Sequence, residues 1–208
     1  MRLSLEDILT AEKEYRRNLI NCFAGFKSLN LVGTKSQEGV PNLAVYSQVI
    51  HVGANPPLQG ILFRPAVVPR HTLENIFATR QFTINQVHKS FYQEAHWTSA
   101  RWEENEFEKV GLTEEYSGHW KAPFVKESKI KALLEFKERH TITTNQTTLV
   151  VGEIKELIID DELVGTDGFI DLEKASTVTV SGLDCYHTTS KLDRLAYAKP
   201  GERPGKLG

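Results

Sequence analysis

A mainly β fold with added helices is the class this sequence predicts, and three observations carry it. Two long stretches, 129–143 and 147–159, have strand patterning, the second rich in β-branched residues, and only the polar turn Thr144-Asn145-Gln146 separates them. Shorter runs of the same kind recur between Gly, Pro and Asn punctuation over residues 29–64. Helical spacing is confined to the N-terminus and to short segments between strands. A length of 208 residues suits one all-β barrel with helical additions, so a single domain over 1–208 is expected, its core at about 25–190.

Taken in order, residues 5–24 place Leu5, Ile8, Leu9, Tyr15, Leu19, Ile20 and Phe23 mostly three or four apart, with Ser4 as cap, and predict one amphipathic helix. Its apolar stripe is expected to pack on the barrel or on a partner subunit. After Gly25, residues 29–35 read as a strand, and Ser36-Gln37-Glu38-Gly39 turns the chain into a second strand over 42–52. Asn55-Pro56-Pro57 lacks two backbone donors and has two fixed φ angles, which makes it a strand end or tight corner. A third strand over 58–64, a loop with Pro65, Pro69 and Arg70, a helix starting at Thr72 and a strand over 82–87 follow.

Residues 89–120 predict two short helices and hold Phe91, Tyr92, Trp97, Trp102, Phe107 and Trp120, aromatics that either stack on a ring or cover the barrel. Beyond the two long strands, Asp160-Asp161 ends the second, 165–168 make a turn and 177–180 form a last short strand. The tail at 198–208 has little to bury and is expected to be mobile.

Composition narrows the function classes. A hydrophobic fraction of 40% with 25% charged residues belongs to an ordinary globular protein. Against 27 acidic residues there are only 25 basic ones, so no electrostatic footprint for nucleic acid exists. Charged residues interrupt every apolar run near the N-terminus, and no run approaches the roughly 20 residues that span a bilayer. A cytoplasmic protein without membrane or nucleic-acid partners is expected. Cys22 and Cys185 match no metal or redox motif and are read as buried or idle thiols. The seven histidines show no His-Glu-x-x-His, and neither Gly-x-Ser-x-Gly, Gly-x-Gly-x-x-Gly nor a Walker A loop occurs, so no metal and no catalytic side chain is assigned.

One region does suggest a ligand. Thr72 can cap a helix, and Asn75, at the third helical position, can reach back to the cap's amide. Such a start attracts anions, and Arg70, His71 and Ser47 bring further donors, an arrangement suited to a phosphate-bearing cofactor. On spacing alone the same residues read more readily as an ordinary strand serine, an ordinary cap and a solvated loop charge.

Several short motifs stand in order along the chain: Gly39 before Asn42-Leu43-Ala44-x-x-Ser47, Asn55-Pro56-Pro57-Leu58, Thr72-x-x-Asn75-Ile76, Phe82-Thr83-Ile84-Asn85, Glu106-Phe107-Glu108-x-x-Gly111-Leu112 and Val151-Gly152-Glu153. In this order they resemble the flavin reductase-like family of FMN-binding split β-barrels, which includes flavin reductases and flavoredoxins. The resemblance implies FMN, or FAD, as cofactor. By position it implies ring contacts at Asn42, Leu43 and Ala44 and phosphate contacts at Ser47, Arg70 and Thr72, with Arg64 and His71 as additions. Asn75 either braces the helix start or touches the phosphate.

The activity implied is an NAD(P)H-dependent flavin reductase passing hydride to FMN, within a homodimer that holds FMN near its interface. Gly182-Leu183-Asp184-Cys185-Tyr186-His187 departs from the Gly-Asp-His element of many nicotinamide-using members. That departure keeps open a flavoredoxin-like electron carrier with a redox partner protein. A barrel used only for binding or assembly is the third alternative.

Overall fold

The computed structural model describes residues 1–65 and 70–207; the expected loop position Pro69 and the last tail residue, Gly208, lie outside the described residues. Its frame is a seven-stranded antiparallel sheet. Along the chain come β1 (Lys27–Ser28), β2 (Asn30–Lys35), β3 (Pro41–Tyr46), β4 (Val49–Ala54), β5 (Pro57–Phe63), β6 (Gln81–Gln86), β7 (Glu114–Glu115), β8 (Phe124–Val125), β9 (Ile130–Ile142) and β10 (Thr147–Ile159). The large sheet runs β3-β2-β6-β9-β10-β5-β4.

The predicted strand over 42–52 is two strands, and the break at Ser47-Gln48 decides the shape. β3 lies at one edge of the sheet and β4 at the other, yet only two residues join them. Three extended steps reach roughly 10–11 Å, so the sheet must coil until its edges approach at that end. β3 and β4 are not paired, and the ladder stays open between them.

Strand alternation puts residues on two buried faces. Leu31 and Leu43 pack with Phe91, Phe107, Val178 and Val180, whereas Val32 joins Ile61, Phe63, Ile76, Phe82, Leu134 and Val150 on the opposite face. Gly152 in β10 is needed there, because a Cβ would stand 2.5 Å from Cζ of Phe82. Thr83 and Asn85, both fully buried in β6, tie the segment ahead of β9 to the sheet: Thr83 Oγ1 donates to the Pro123 carbonyl at 2.6 Å, and Asn85 Oδ1 accepts from the Val125 amide at 2.9 Å.

Helices fill the expected places, and three corrections concern them and the C-terminal part. The single N-terminal helix is two, α1 (Leu5–Thr10) and α2 (Lys13–Phe23), because Ala11 is extended and the Glu12 carboxylate caps a new start by accepting from Glu14 and Tyr15. Neither helix has a buried residue; Leu5, Leu9, Tyr15, Ile20 and Phe23 are exposed, so the expected packing of this stripe on the barrel is not found within the chain.

Next, α3 (His71–Thr79) begins two residues earlier than a cap at Thr72 would place it, and Thr72 is not its cap. Arg70 holds the cap position without a side-chain bond, and its amide donates to the Glu74 carboxylate at 3.1 Å. Thr72 and Asn75 turn inward instead, where buried partners on β2 and β3 outcompete the local turn. Two short helices, α4 (Tyr92–Trp97) and α5 (Glu106–Val110), occupy 89–120 as predicted.

The third correction concerns the C-terminal part. β11 (Thr179–Ser181) is the expected last strand, but β12 (Cys185–His187) pairs with it, and the supposedly mobile tail folds back so that β13 (Arg194–Leu195) pairs with β14 (Lys206–Leu207). An ion pair of 2.9 Å between Lys206 and Asp193 supports that turn. Cys22 and Cys185 are both exposed, which removes the buried reading. Among the described residues no helix is long and apolar enough to cross a membrane.

Candidate functional site

The buried side of α3 is half polar. Leu73 and Ile76 enter the core, while Thr72 and Asn75, 4% and 9% exposed, face β2 and β3. Thr34 of β2, fully buried, lies at the centre: its Oγ1 accepts from Asn42 Nδ2 and from Asn75 Nδ2, each at 3.2 Å. Asn42 Nδ2 also donates to Thr72 Oγ1 at 3.0 Å. Asn42, Thr72 and Asn75, which lie up to 33 residues apart in sequence, therefore form one buried network that holds the start of α3 against the edge of the sheet.

Around this network stand groups with unmet capacity. Arg70 is half-buried, and its Nε has no hydrogen-bond partner among the described residues. None of the described residues accepts from the amides of His71, Thr72 or Leu73. Tyr46, at the end of β3, packs edge-on to Phe63 with ring centroids 5.0 Å apart. Burial pushes its phenol up, opposed by a hydrogen bond with Thr72 and by the positive charge of Arg70.

On the other side of β3, the Leu43 amide donates to Glu106 Oε2 at 3.1 Å. Burial pushes the Glu106 carboxyl up, while the Leu43 amide and the charge of His71 pull it down. Glu106 and His71 are thus near enough to interact, although they come from different helices.

Of the residues singled out by sequence, Asn42, Thr72 and Asn75 are joined directly or through Thr34, and Arg70 and His71 lie at the same helix start. Leu43 is buried beside them, and Ala44 and Ser47 are half-buried along and just beyond β3. Arg64 is not brought in: it is exposed beyond β5, and its charge is felt by Lys27. Sequence reasoning missed Thr34, Tyr46 and Glu106 as members of the cluster. Only Glu106 left a signal, as part of its motif; Thr34 and Tyr46 look like ordinary strand residues until β2 and β3 are paired.

The Gly182–His187 segment forms a turn with φ of +63° at Gly182, followed by β12. Tyr186 hydroxyl contacts His96 Nδ1, and its ring lies 5.5 Å from that of Tyr92. His187 is turned into its own hairpin, with Nε2 2.9 Å from Ser181 Oγ and its ring 4.8 Å from Phe26.

An anionic, oxygen-rich group fits the helix start on this structure's own terms, because a buried guanidinium N–H without an acceptor is rare and costly. Open helix-start amides beside it present the same preference.

Comparison with known proteins agrees with this geometry. The flavin reductase like domain matches residues 27–173. A candidate flavin reductase with split barrel domain from Shewanella frigidimarina NCIMB 400 is 50% identical in sequence and superposes with a TM-score of 0.92, covering 95% of this chain and 100% of that one. A protein of Halalkalibacterium halodurans without assigned function is 30% identical over 197 residues, 88% of this chain and 92% of its own length. The flavoredoxin of Desulfovibrio vulgaris (Miyazaki F) shares the fold at 22% identity, with a TM-score of 0.73 over 97% of this chain and 98% of that one. With residues 27–173, most of its length, matched by that domain, the chain belongs to the flavin reductase-like family.

Proposed function

We propose that the protein is an FMN-binding oxidoreductase of the cytoplasm, in its main reading an NAD(P)H-dependent flavin reductase, with its coiled sheet serving as a split barrel. The observation that carries this is the buried Nε of Arg70, without a hydrogen-bond partner among the described residues, next to the open amides of α3. When bound, a flavin accepts hydride and passes electrons on; the chain's own residues bind and orient it.

In this reading Arg70, Ser47 and the α3 amides, that of Thr72 included, hold the phosphate, and His71 adds positive charge; the Thr72 hydroxyl is turned toward Asn42, and Arg64 stands outside the cluster. The backbone over Asn42, Leu43 and Ala44 lines the ring. Asn75 braces, since its amide is directed at Thr34. FAD would use the same phosphate seat.

A second reading, a flavoredoxin-like carrier with a redox partner protein, is favoured by His187. Its imidazole is engaged by Ser181 and Phe26 and is not offered to a nicotinamide. Exposed Leu5, Leu9, Tyr15, Ile20, Phe23 and Phe26 support a homodimer with FMN near its interface, because so many exposed apolar side chains within one stretch of chain favour a partner.

The test is the visible spectrum of protein loaded with FMN, followed by anaerobic addition of NADH and NADPH. Prompt bleaching supports the reductase. Bleaching by dithionite alone supports the carrier, and failure to take up FMN would overturn both.

A further inference from the structure

The geometry points to Glu106 as the residue that recognises the imide N–H of the flavin ring, and so as a determinant of which ring this strand accepts. This rests on the reading of β3 as the ring-binding strand.

β3 is an edge strand, and an edge strand presents backbone groups that its own sheet does not use. The Leu43 amide is one of them, and it is met by a side chain from 63 residues further along the chain. The bond of 3.1 Å engages Oε2 of Glu106, and no other residue among those described donates a hydrogen bond to Oε1. Glu106 therefore presents one carboxylate oxygen tied down by the strand and one still able to accept.

The backbone carrying it is fixed. Phe107 and Val110, 1% and 6% exposed, anchor α5 in the same core as Leu43. Asn105 caps the helix through Oδ1, which accepts from the Phe107 amide at 3.0 Å, while its Nδ2 donates to Glu114 at 2.9 Å. Glu108, two residues on and so on a different face of α5, is exposed and shares none of these bonds.

An oxidised isoalloxazine has a single ring N–H, at N3, flanked by two carbonyls. Recognition of that edge needs an acceptor between donors, and a β-strand edge supplies the two kinds of group on alternating positions. A half-buried carboxylate oxygen held beside a strand amide is a strong acceptor for such an N–H, because a charged partner strengthens the bond and water competes poorly there. A ring alkylated at N3 would leave that carboxylate facing a methyl group, and a site built around a hydrogen bond rejects an analogue that lacks it.

The experiment compares binding of FMN and 3-methyl-FMN, followed by fluorescence quenching, in the wild type and in Glu106→Met, Glu106→Gln and Glu108→Ala. The wild type and Glu108→Ala are expected to favour FMN by about tenfold or more. Glu106→Met, which keeps the packing volume, is expected to lose most of that preference, and Glu106→Gln to fall between. Equal binding of the two flavins by the wild type, or an unchanged ratio in folded Glu106→Met, would overturn the assignment while leaving the cofactor site intact. A wild type that binds neither flavin would overturn the cofactor reading itself. Should Glu106→Met not fold, the wild-type and Glu106→Gln ratios still decide.

Discussion

Replacing Thr34 by Val tests whether the buried network holds the start of α3. Thr34 is fully buried, and Val nearly matches its shape, so the change removes one acceptor without opening a cavity. Its hydroxyl accepts from Asn42 and Asn75, but the two donors do not suffer equally. Asn42 keeps Thr72 at 3.0 Å, whereas Asn75 Nδ2 has no other partner among the described residues. One stranded buried donor, not two, sets the magnitude, and stranding one costs about 1–3 kcal/mol.

For a chain of this length that corresponds to a fall in Tm of roughly 2–12 °C. Chemical and thermal denaturation of Thr34→Val, Asn75→Leu and the double variant measure it. The double variant removes donor and acceptor together and is expected to recover part of the loss. A Thr34→Val protein as stable as the wild type, or a double variant no better than the sum of the singles, would refute the argument.

Arg70→Ala is expected to weaken FMN binding about 10- to 100-fold in a calorimetric titration, the effect of losing a charge-assisted bond, while Arg64→Ala has a much smaller effect because its side chain stands outside the cluster. Burial holds the phenols of Tyr46, Tyr116 and Tyr186 above the ordinary tyrosine range, so tyrosinate absorbance should show these three titrating late. Because the folded state favours the neutral phenol, these groups contribute stability that is complete below the ordinary tyrosine pKa of about 10 and is lost as pH rises above it. Tyr46→Phe should flatten that alkaline loss in denaturation curves. Charging the exposed N-terminal stripe by Leu9→Lys with Phe23→Lys is expected to shift sedimentation toward monomer; an unchanged distribution would place the dimer contact elsewhere.

Much of the architecture was legible in the chain because it depends on local rules. The hairpin of β9 and β10 follows from two strand-patterned runs and a polar turn, and its bounds fall within one residue of those expected. The corner at Asn55-Pro56-Pro57 and the two short helices over 89–120 follow from punctuation of the same kind. The break at Ser47-Gln48 was not legible: the residues on either side read as one strand, and only the pairing order of the sheet sends them to opposite edges.

The ordered motifs of the sequence alone determined the family and singled out the helix start near residues 70–75 as the candidate site, since a helix start is coded by a few contiguous residues. Tertiary structure decided what each residue there does. Thr72 has the side chain of a cap but is drawn inward by Asn42, and Asn75 answers to Thr34 rather than to its own helix. Leu43 acquired a partner 63 residues away. A buried polar group takes whichever partner satisfies it with water excluded, and the nearest candidates are set by strand pairing, which a linear sequence does not display.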